Sequence, residues 1–139
     1  MDFINQYFSE AKKIIEMIDK DQIVKMVSII NETRSNNGRL FILGVGGGAG
    51  HASHAVNDFR KICGIESYTP TDNVSELTAR VNDDGWETAY VNWLKISNLN
   101  QNDILLVFSV GGGNLEKNVS VNILKSLEFA NQVGAKICG

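Results

Sequence analysis

The feature that most constrains the fold is an apolar run that ends in glycines, at residues 39–50 (RLFILGVGGGAG). The apolar residues predict a buried strand, and the pattern that follows the glycines is helical. A strand that runs through a glycine loop into a helix is a common phosphate-binding arrangement in α/β proteins. The backbone can approach the anion closely there, and the free N–H groups of the first helical turn point at it. We therefore expect an anion-binding site at the end of this strand.

A second unit of the same kind lies later in the chain. The apolar run at residues 103–110 (DILLVFSV) leads directly into Gly111, Gly112, Gly113 and Asn114. Glycines that serve only tight turns would explain either loop alone, but two such units favour one site built from two strand ends. Neither loop is followed by the Lys-Ser or Lys-Thr of a Walker loop. A dinucleotide fingerprint is a weaker alternative, because no acidic residue clearly ends the next strand.

Strands and helices alternate along the chain, which predicts an α/β fold. We expect a three-layer αβα sandwich with a parallel sheet and right-handed crossovers, preceded by N-terminal helices. Ligands of such sheets bind at the carboxyl ends of the strands, where both glycine loops would fall. The predicted strands are residues 39–45, 67–71, 103–110 and 136–138, and the predicted helices are residues 3–18, 21–33, 48–63, 74–82, 86–99 and 116–132.

The length of 139 residues fits one domain. We expect a single domain over residues 1–139, with N-terminal helices at residues 1–37 and an incomplete αβα core at residues 38–139. The first helix carries a rich apolar stripe, which indicates packing against another helix or another subunit; ordinary packing on its own domain is the alternative. An apolar strand at residues 136–138 suggests that something outside this sequence completes the core.

Composition argues against several classes of partner. The net charge is −3 and no long basic run occurs, so nucleic acid is not an expected partner. No apolar run is long enough to span a membrane and no signal peptide is visible, so we expect a cytoplasmic protein without a membrane partner. Cys63 and Cys138 lack CxxC spacing, so neither a disulfide framework nor a structural zinc site is predicted.

Three polar residues share one face of the helix that follows the first glycine loop. His51, His54 and Asp58 stand at positions i, i+3 and i+7. An imidazole and a carboxylate one turn apart can hold a divalent metal, or they can serve as an acid/base pair above a sugar bound at the loop. A solvated helix face is the alternative interpretation. Proximity to the glycine loop favours a functional role.

Other polar residues stand close to the ends of predicted elements. Asn82 and Asp83 belong to the stretch NDDG at residues 82–85, whose composition predicts a turn. Ser109 ends the third strand, and its hydroxyl could donate to a phosphate. A hydroxyl that only satisfies the strand end is the alternative for Ser109.

Taken together, these residues resemble the sugar isomerase (SIS) domain family, and in particular its phosphoheptose isomerase branch. The matching stretches are GVGGG at residues 44–48, HAVND at 54–58, NDDGW at 82–86 and SVGGGN at 109–114. In that branch the same stretches usually read GNGGS, HxxxE, NDxG followed by an aromatic residue, and STSGNS. The order and spacing of the four stretches agree along the whole chain.

The resemblance implies interconversion of sedoheptulose 7-phosphate and a heptose 7-phosphate through an enediol. It also implies a homotetramer in which the N-terminal helices, residues 1–37, pack between subunits. Asp58 would be the catalytic carboxylate, and His54 and Asp58 would bind zinc. The residues that would line the bound sugar phosphate are Val45, Gly46, Gly47, Gly48, Asp58, Asn82, Asp83, Ser109, Val110, Gly111 and Asn114.

The chain departs from the branch in four respects. Val45 and Gly48 replace the usual Asn and Ser, and Val110 and Gly111 replace two hydroxyl residues, so a phosphate would depend more on backbone N–H groups. Asp58 is one methylene shorter than the usual Glu, and small misplacements are costly in catalysis. The branch's second catalytic residue, a histidine on a C-terminal helix, has no counterpart here. The alternative is therefore a non-catalytic SIS module that binds a sugar phosphate or a protein partner in a regulatory role.

Overall fold

The computed structural model describes residues 2–139; Met1, which the predicted domain includes, lies outside the described residues. Within residues 2–139, no helix is long and apolar enough to cross a membrane. The elements are α1 (Asp2–Met17), α2 (Lys20–Ser35), β1 (Leu40–Gly44), α3 (Gly47–Lys61), β2 (Ser67–Tyr68), α4 (Val74–Asp84), α5 (Trp86–Ile96), β3 (Ile104–Phe108), α6 (Val121–Val133) and β4 (Lys136–Cys138). The four strands form one sheet in the order β2-β1-β3-β4, and every neighbouring pair is parallel.

The sheet separates two apolar cores, and successive strand residues alternate between them. Phe41 on one face clusters with Leu94 of α5 and with residues of α4 and α6. Ile42 on the other face clusters with Ile30 of α2 and Val56 of α3. Strands buried on both faces are typical of a parallel sheet covered by two helical layers. The predicted three-layer αβα sandwich is confirmed.

The two N-terminal helices differ in how they pack. Helix α2 contributes to the domain's own core through Met26, Ile29 and Ile30. Helix α1 has no buried residue, and its Phe8 and Ile15 side chains are 64% and 67% exposed. The alternative that the stripe of the first helix packs on its own domain is therefore wrong for α1, because nothing in residues 2–139 covers it.

The turn predicted at residues 82–85 is wrong for its first three residues. Helix α4 begins at an N-cap, Asn73, whose side chain accepts from the N–H of Glu76, and it continues through Asn82 and Asp83 to its last residue. Gly85 ends it with φ 84°, a conformation that glycine adopts without steric cost. Asn and Asp are common in turns, so composition alone placed the helix end too early.

Helix α6 begins later than the predicted helix at residues 116–132. Asn114 and Val119 exchange two backbone hydrogen bonds of 2.8 and 2.9 Å, which close a turn ahead of the helix. Asn118 and Ser120 have φ values of 52° and 50°, outside the right-handed helical region. The helix can start only after these residues.

Two strands end at least two residues earlier than predicted. Strand β2 ends two residues before Pro70, which has no N–H to give to a ladder. Strand β3 ends at Phe108, so Ser109 and Val110 leave the sheet and enter the second glycine loop. This early ending frees Ser109 for contacts at the sheet edge.

Tyr90 connects α5 to the end of β1. Its side chain is fully buried, and its hydroxyl donates to the carbonyl oxygen of Gly44 at 2.8 Å. Burial raises the pKa of Tyr90 to about 12. The ordinary pKa of tyrosine, which holds in the unfolded chain, is about 10. Because the folded-state pKa is higher, the contribution of neutral Tyr90 to the free energy of unfolding is fully present below about pH 10. It is lost as the pH rises toward the folded-state pKa.

We expect Tyr90→Phe to remove this alkaline loss of stability. Through Tyr90 alone, the free energy of unfolding of the unsubstituted chain should fall by up to about 3 kcal/mol between about pH 10 and 12. At neutral pH the free energy of unfolding of the Phe variant should be lower by about 1 kcal/mol, because the hydrogen bond to Gly44 is lost. Urea unfolding across this pH range measures both effects. Tyr68→Phe is the control, since Tyr68 is 38% exposed. If the free energy of unfolding of the Tyr90→Phe variant fell at alkaline pH as much as that of the unsubstituted chain, the assignment to Tyr90 would be contradicted.

Candidate functional site

The two glycine loops lie at the same edge of the sheet. Gly44, the last residue of β1, is paired in parallel register with Phe108, the last residue of β3. The loops also touch, since a Cβ atom added to Gly48 would lie 2.6 Å from the carbonyl oxygen of Phe108. The carboxyl ends of β1 and β3 are where the sheet order reverses direction, which is the usual ligand-binding position in α/β sheets.

A cleft of 880 Å³ opens at this edge between the two loops and the start of α6. Its volume is in the range of small-molecule sites. The lining residues are Val45, Gly47, Gly48, His51, Phe108, Ser109, Val110, Gly111, Ser120 and Ile123. The cleft therefore combines apolar walls with hydroxyls, one imidazole and exposed glycine backbone.

Two glycines of the first loop are required by geometry. Gly46 has φ 57° and ψ −119°, a conformation that a residue with a Cβ atom rarely adopts. Gly48 has no room for a Cβ, because the backbone of β3 lies against it. The phosphoheptose isomerase branch usually has Ser at this position. In this chain, the replacement of that Ser by Gly48 occurs where α3 closely approaches β3. By contrast, a Cβ at Gly47 would meet nothing within 4 Å.

The backbone of the first loop offers unpaired hydrogen-bond donors. The N–H groups of Gly48 and Ala49 donate to the carbonyls of Val45 and Gly46 at 3.0 and 3.1 Å. For the N–H groups of Gly46 and Gly47, no acceptor is found within residues 2–139. Unpaired N–H groups at the start of a helix, together with the positive end of its dipole, favour an anion.

Two serines add hydroxyls to the cleft. The Ser109 oxygen accepts from the N–H of Gly112 at 3.1 Å, so its own proton stays available for a ligand. Ser120 stands at the N-cap of α6, and its side chain makes no capping hydrogen bond. The N-terminal ends of two helices, α3 and α6, thus border the same cleft. This arrangement suits a phosphate or another oxyanion.

The structure brings part of the predicted substrate-binding set into the cleft and leaves part of it outside. Gly46 stands between lining residues without itself lining the cleft. Asp58, Asn82, Asp83 and Asn114 are absent from its lining. The predicted residues that do line it are Val45, Gly47, Gly48, Ser109, Val110 and Gly111.

The predicted residues outside the cleft make local contacts. Asn82 and Asp83 are exposed in the last turn of α4, where the Asn82 side-chain amide donates to the Asp83 carboxylate at 2.7 Å. Asn114 is exposed in the turn before α6, and its side-chain oxygen accepts from the N–H of Lys117 at 2.8 Å. These contacts explain the polar residue types without a ligand.

Asp58 lies farther along α3, beyond the cleft. Its carboxylate is 3.2 Å from Nε2 of His54 and accepts from the Asn57 side-chain amide at 3.1 Å. The Asp58 side chain is 45% exposed and that of His54 is 77% exposed. The helix rises about 10 Å from His51, which lines the cleft, to Asp58. The predicted helix face is present, but only its N-terminal member reaches the cleft.

His54 and Asp58 do not form a complete metal site. Their donor atoms are close enough to share one cation. However, residues 2–139 contain no group of three or more His, Cys, Asp or Glu side chains that could hold a metal ion. Zinc is held by three or four protein ligands, so the described residues supply two donors of such a set.

Sequence reasoning missed several lining residues. The closeness of His51 to the first glycine loop favours a functional role, but the predicted substrate-binding set omits it; in the structure it lines the cleft. Ser120 and Ile123 fell inside the helix predicted to start at residue 116, so their position at a helix N-terminus was hidden. Phe108 was read as a buried strand residue, and only the strand end exposes it to the cleft.

Similarity to known proteins extends over most of the chain. The model of the SIS domain family matches residues 6–139. The phosphoheptose isomerase of Chlorobaculum tepidum is 30% identical over 137 residues, covering 94% of this chain and 62% of the relative. That of Helicobacter pylori strain P12 is 30% identical over 132 residues, covering 90% of this chain and 64% of the relative. This chain thus spans less than two thirds of either relative.

Solved structures share the fold. A phosphoheptose isomerase from Neisseria gonorrhoeae superposes with a TM-score of 0.84 at 22% identity, covering 98% of this chain and 71% of that one. A phosphoheptose isomerase from Francisella tularensis gives the same TM-score at 24% identity with the same coverage. At this identity the match to solved structures shows the fold, whereas the match to the family model shows the family. With a family match that extends over residues 6–139, this chain belongs to the SIS domain family.

Proposed function

We propose that this chain is a phosphosugar isomerase domain of the phosphoheptose isomerase type. In this proposal it interconverts sedoheptulose 7-phosphate and a heptose 7-phosphate through an enediol. The observation that carries the proposal is the cleft between the two glycine loops, where unpaired N–H groups and hydroxyls converge at two helix N-termini. Such a cleft is suited to the phosphate of the sugar. The relatives named phosphoheptose isomerase support the choice of sugar.

The proposal assigns the proton transfer to Asp58. In sedoheptulose 7-phosphate the phosphate and the carbons that react stand at opposite ends of the carbon chain. A phosphate in the cleft would let the sugar extend along the exposed face of α3, past His54 and toward Asp58. A carboxylate there can take a proton from one carbon and return it to its neighbour, which is general acid–base catalysis. The carboxylate's partial exposure leaves room for a substrate carbon beside it.

An isomerisation assay tests this function. Sedoheptulose 7-phosphate is incubated with the chain, with and without added zinc, and aldose formation is followed. We expect measurable turnover and saturation by the substrate. Tight binding of the sugar phosphate without turnover would instead support the non-catalytic, regulatory SIS module. Absence of both binding and turnover would overturn the proposal.

We also propose that the chain binds zinc, at a site for which it provides two ligands. His54 and Asp58 would each give one ligand to the ion, which would need further ligands besides these two side chains. A bound zinc ion would stabilise negative charge on a substrate oxygen.

We also place the protein in the cytoplasm, since Cys63 and Cys138 are free thiols and a reducing compartment keeps thiols in that state.

We further propose a homotetramer that uses α1. The support is the uncovered apolar stripe of that helix, in which Phe8 and Ile15 are mostly exposed. A contiguous exposed apolar surface of this kind marks a protein–protein contact. The tetramer itself comes from the resemblance to the phosphoheptose isomerase branch.

Charged substitutions on α1 should dissociate the assembly. We expect the Phe8→Glu, Ile15→Glu double variant to sediment near the monomer mass of 15.3 kDa, while the unsubstituted chain sediments as a tetramer. The variant should stay folded, because α1 buries nothing in its own domain. Lys12→Glu is the control, since it adds negative charge at an exposed polar position of the same helix. A monomeric unsubstituted chain would contradict the proposal.

A further inference from the structure

Within residues 2–139, His51 is the one ionisable side chain that lines the cleft. The other lining residues are glycines, two serines and apolar residues. His54 and Asp58 share the helix face of His51 but stand farther along α3, and Lys125 and Glu87 pair with each other at 2.7 Å without lining the cleft. Among the residues that the structure describes, His51 is therefore the ionisable side chain best placed to contact a group bound in the cleft.

A phosphate monoester can use a further donor besides the backbone N–H groups and hydroxyls of the cleft. It carries between one and two negative charges at neutral pH and has three acceptor oxygens. In the second loop, Val110 and Gly111 supply no side-chain donor, which leaves Ser109 as the hydroxyl of that stretch in the cleft. An imidazole N–H is a good donor to a phosphate oxygen, and a protonated imidazole also contributes charge.

We propose that His51 binds the phosphate group of the ligand and makes the cleft selective for phosphorylated over neutral sugars. This inference rests on the proposed phosphosugar function and adds a residue to its site. The position fits, because His51 stands in the second turn of α3, beside the N-terminus that borders the cleft. In this chain the imidazole takes the place of the hydroxyls that the second loop lacks. The contact is a binding contact and involves no bond formation.

Two kinds of substitution separate charge from shape at this position. His51→Gln removes the imidazole and leaves only an amide donor of different shape, and we expect it to weaken binding of a sugar phosphate about tenfold, as expected when one hydrogen bond to a charged group is weakened. His51→Lys places an ammonium donor at this position and should keep most of the affinity. Lys61→Gln is the matched control, since it removes a positive charge from the exposed last turn of the same helix. Its affinity should equal that of the unsubstituted chain.

Calorimetric titration with sedoheptulose 7-phosphate, inorganic phosphate and unphosphorylated sedoheptulose gives the affinities. The proton NMR signals of the two histidines of the chain locate the contact, and the His51→Gln variant assigns them. We expect added inorganic phosphate to shift the His51 signal more than the His54 signal. Circular dichroism checks that each variant is folded.

The outcomes distinguish this inference from the function on which it rests. If sedoheptulose 7-phosphate binds equally well to the unsubstituted chain and to His51→Gln, the role of His51 is overturned and the proposed function stands. If inorganic phosphate binds through His51 but no sugar phosphate binds, the phosphate contact is supported while the selectivity and the proposed function are overturned. If neither ligand binds the unsubstituted chain, both proposals are overturned.

Discussion

Replacing Asp103 by Ala should destabilise the domain by about 3–5 kcal/mol, the usual cost of removing one partner of a buried ion pair. Asp103 is 1% exposed, and Arg39 donates to its carboxylate through its backbone N–H at 2.9 Å and its guanidinium at 2.8 and 3.1 Å. The N–H of Asn100 adds a further bond of 3.0 Å. Without the carboxylate, these donors lose their acceptor in a place that water does not reach easily.

This ion pair joins the N-terminal ends of β1 and β3. The Arg39 guanidinium also donates to the carbonyls of Ser97 and Asn98, each at 2.9 Å, so it holds the turn after α5 as well. The hydrogen bond to Asp103 raises the pKa of Arg39, which keeps the guanidinium charged. Because the pair lies at the opposite end of the strands from the cleft, its loss should lower stability without removing any ligand contact.

Glu87→Gln is the matched control for the Asp103 variant. The Glu87–Lys125 pair has nearly the same separation, 2.7 Å, but the Glu87 side chain is 59% exposed. Exposed pairs contribute about 0–1 kcal/mol, so its removal should have little effect. Urea denaturation of both variants gives the comparison. Equal losses in the two variants would contradict the argument that burial sets the cost.

Much of the fold could be predicted because each strand is a short apolar run with a clear boundary. Leu40 and Ile104 each follow a charged residue and begin a buried strand, and Gly44 ends the first strand where the helix must turn away. Alternation of strands and helices then allows few topologies. The errors occurred where local composition competes with tertiary structure, as at Asn82 and Asp83, whose types suit a turn but which the helix includes.

The candidate site was predicted less completely than the fold. The glycine loops could be predicted from their composition, and Ser109 from its place at the end of a clear apolar run. His51 stands close to the first glycine loop, which favours a functional role, but Ser120 could not be assigned to the cleft, because its place depends on how far α6 is delayed. The backbone conformation of Ser120, with φ 50°, has no signal in its residue type. Residues that a motif brings close in sequence, such as Asp58, can still lie outside the lining of the cleft.

Asp58→Asn should lower kcat for sedoheptulose 7-phosphate by about 10²–10⁴-fold, the usual contribution of a general acid–base residue. The substitution preserves size and the contact with His54 but removes the group that accepts the proton. Affinity for the sugar phosphate should change little, because Asp58 stands outside the cleft that would hold the phosphate. Steady-state kinetics and calorimetric binding measure the two effects separately.

Asp58→Glu provides a sharper test of the same assignment. It supplies the longer carboxylate that the phosphoheptose isomerase branch usually carries, so turnover should be retained or increased if reach limits this chain. Glu128→Gln on α6 is the control, since Glu128 is an exposed carboxylate that does not line the cleft. A kcat of the Asn variant within tenfold of the unsubstituted chain would exclude Asp58 as the base.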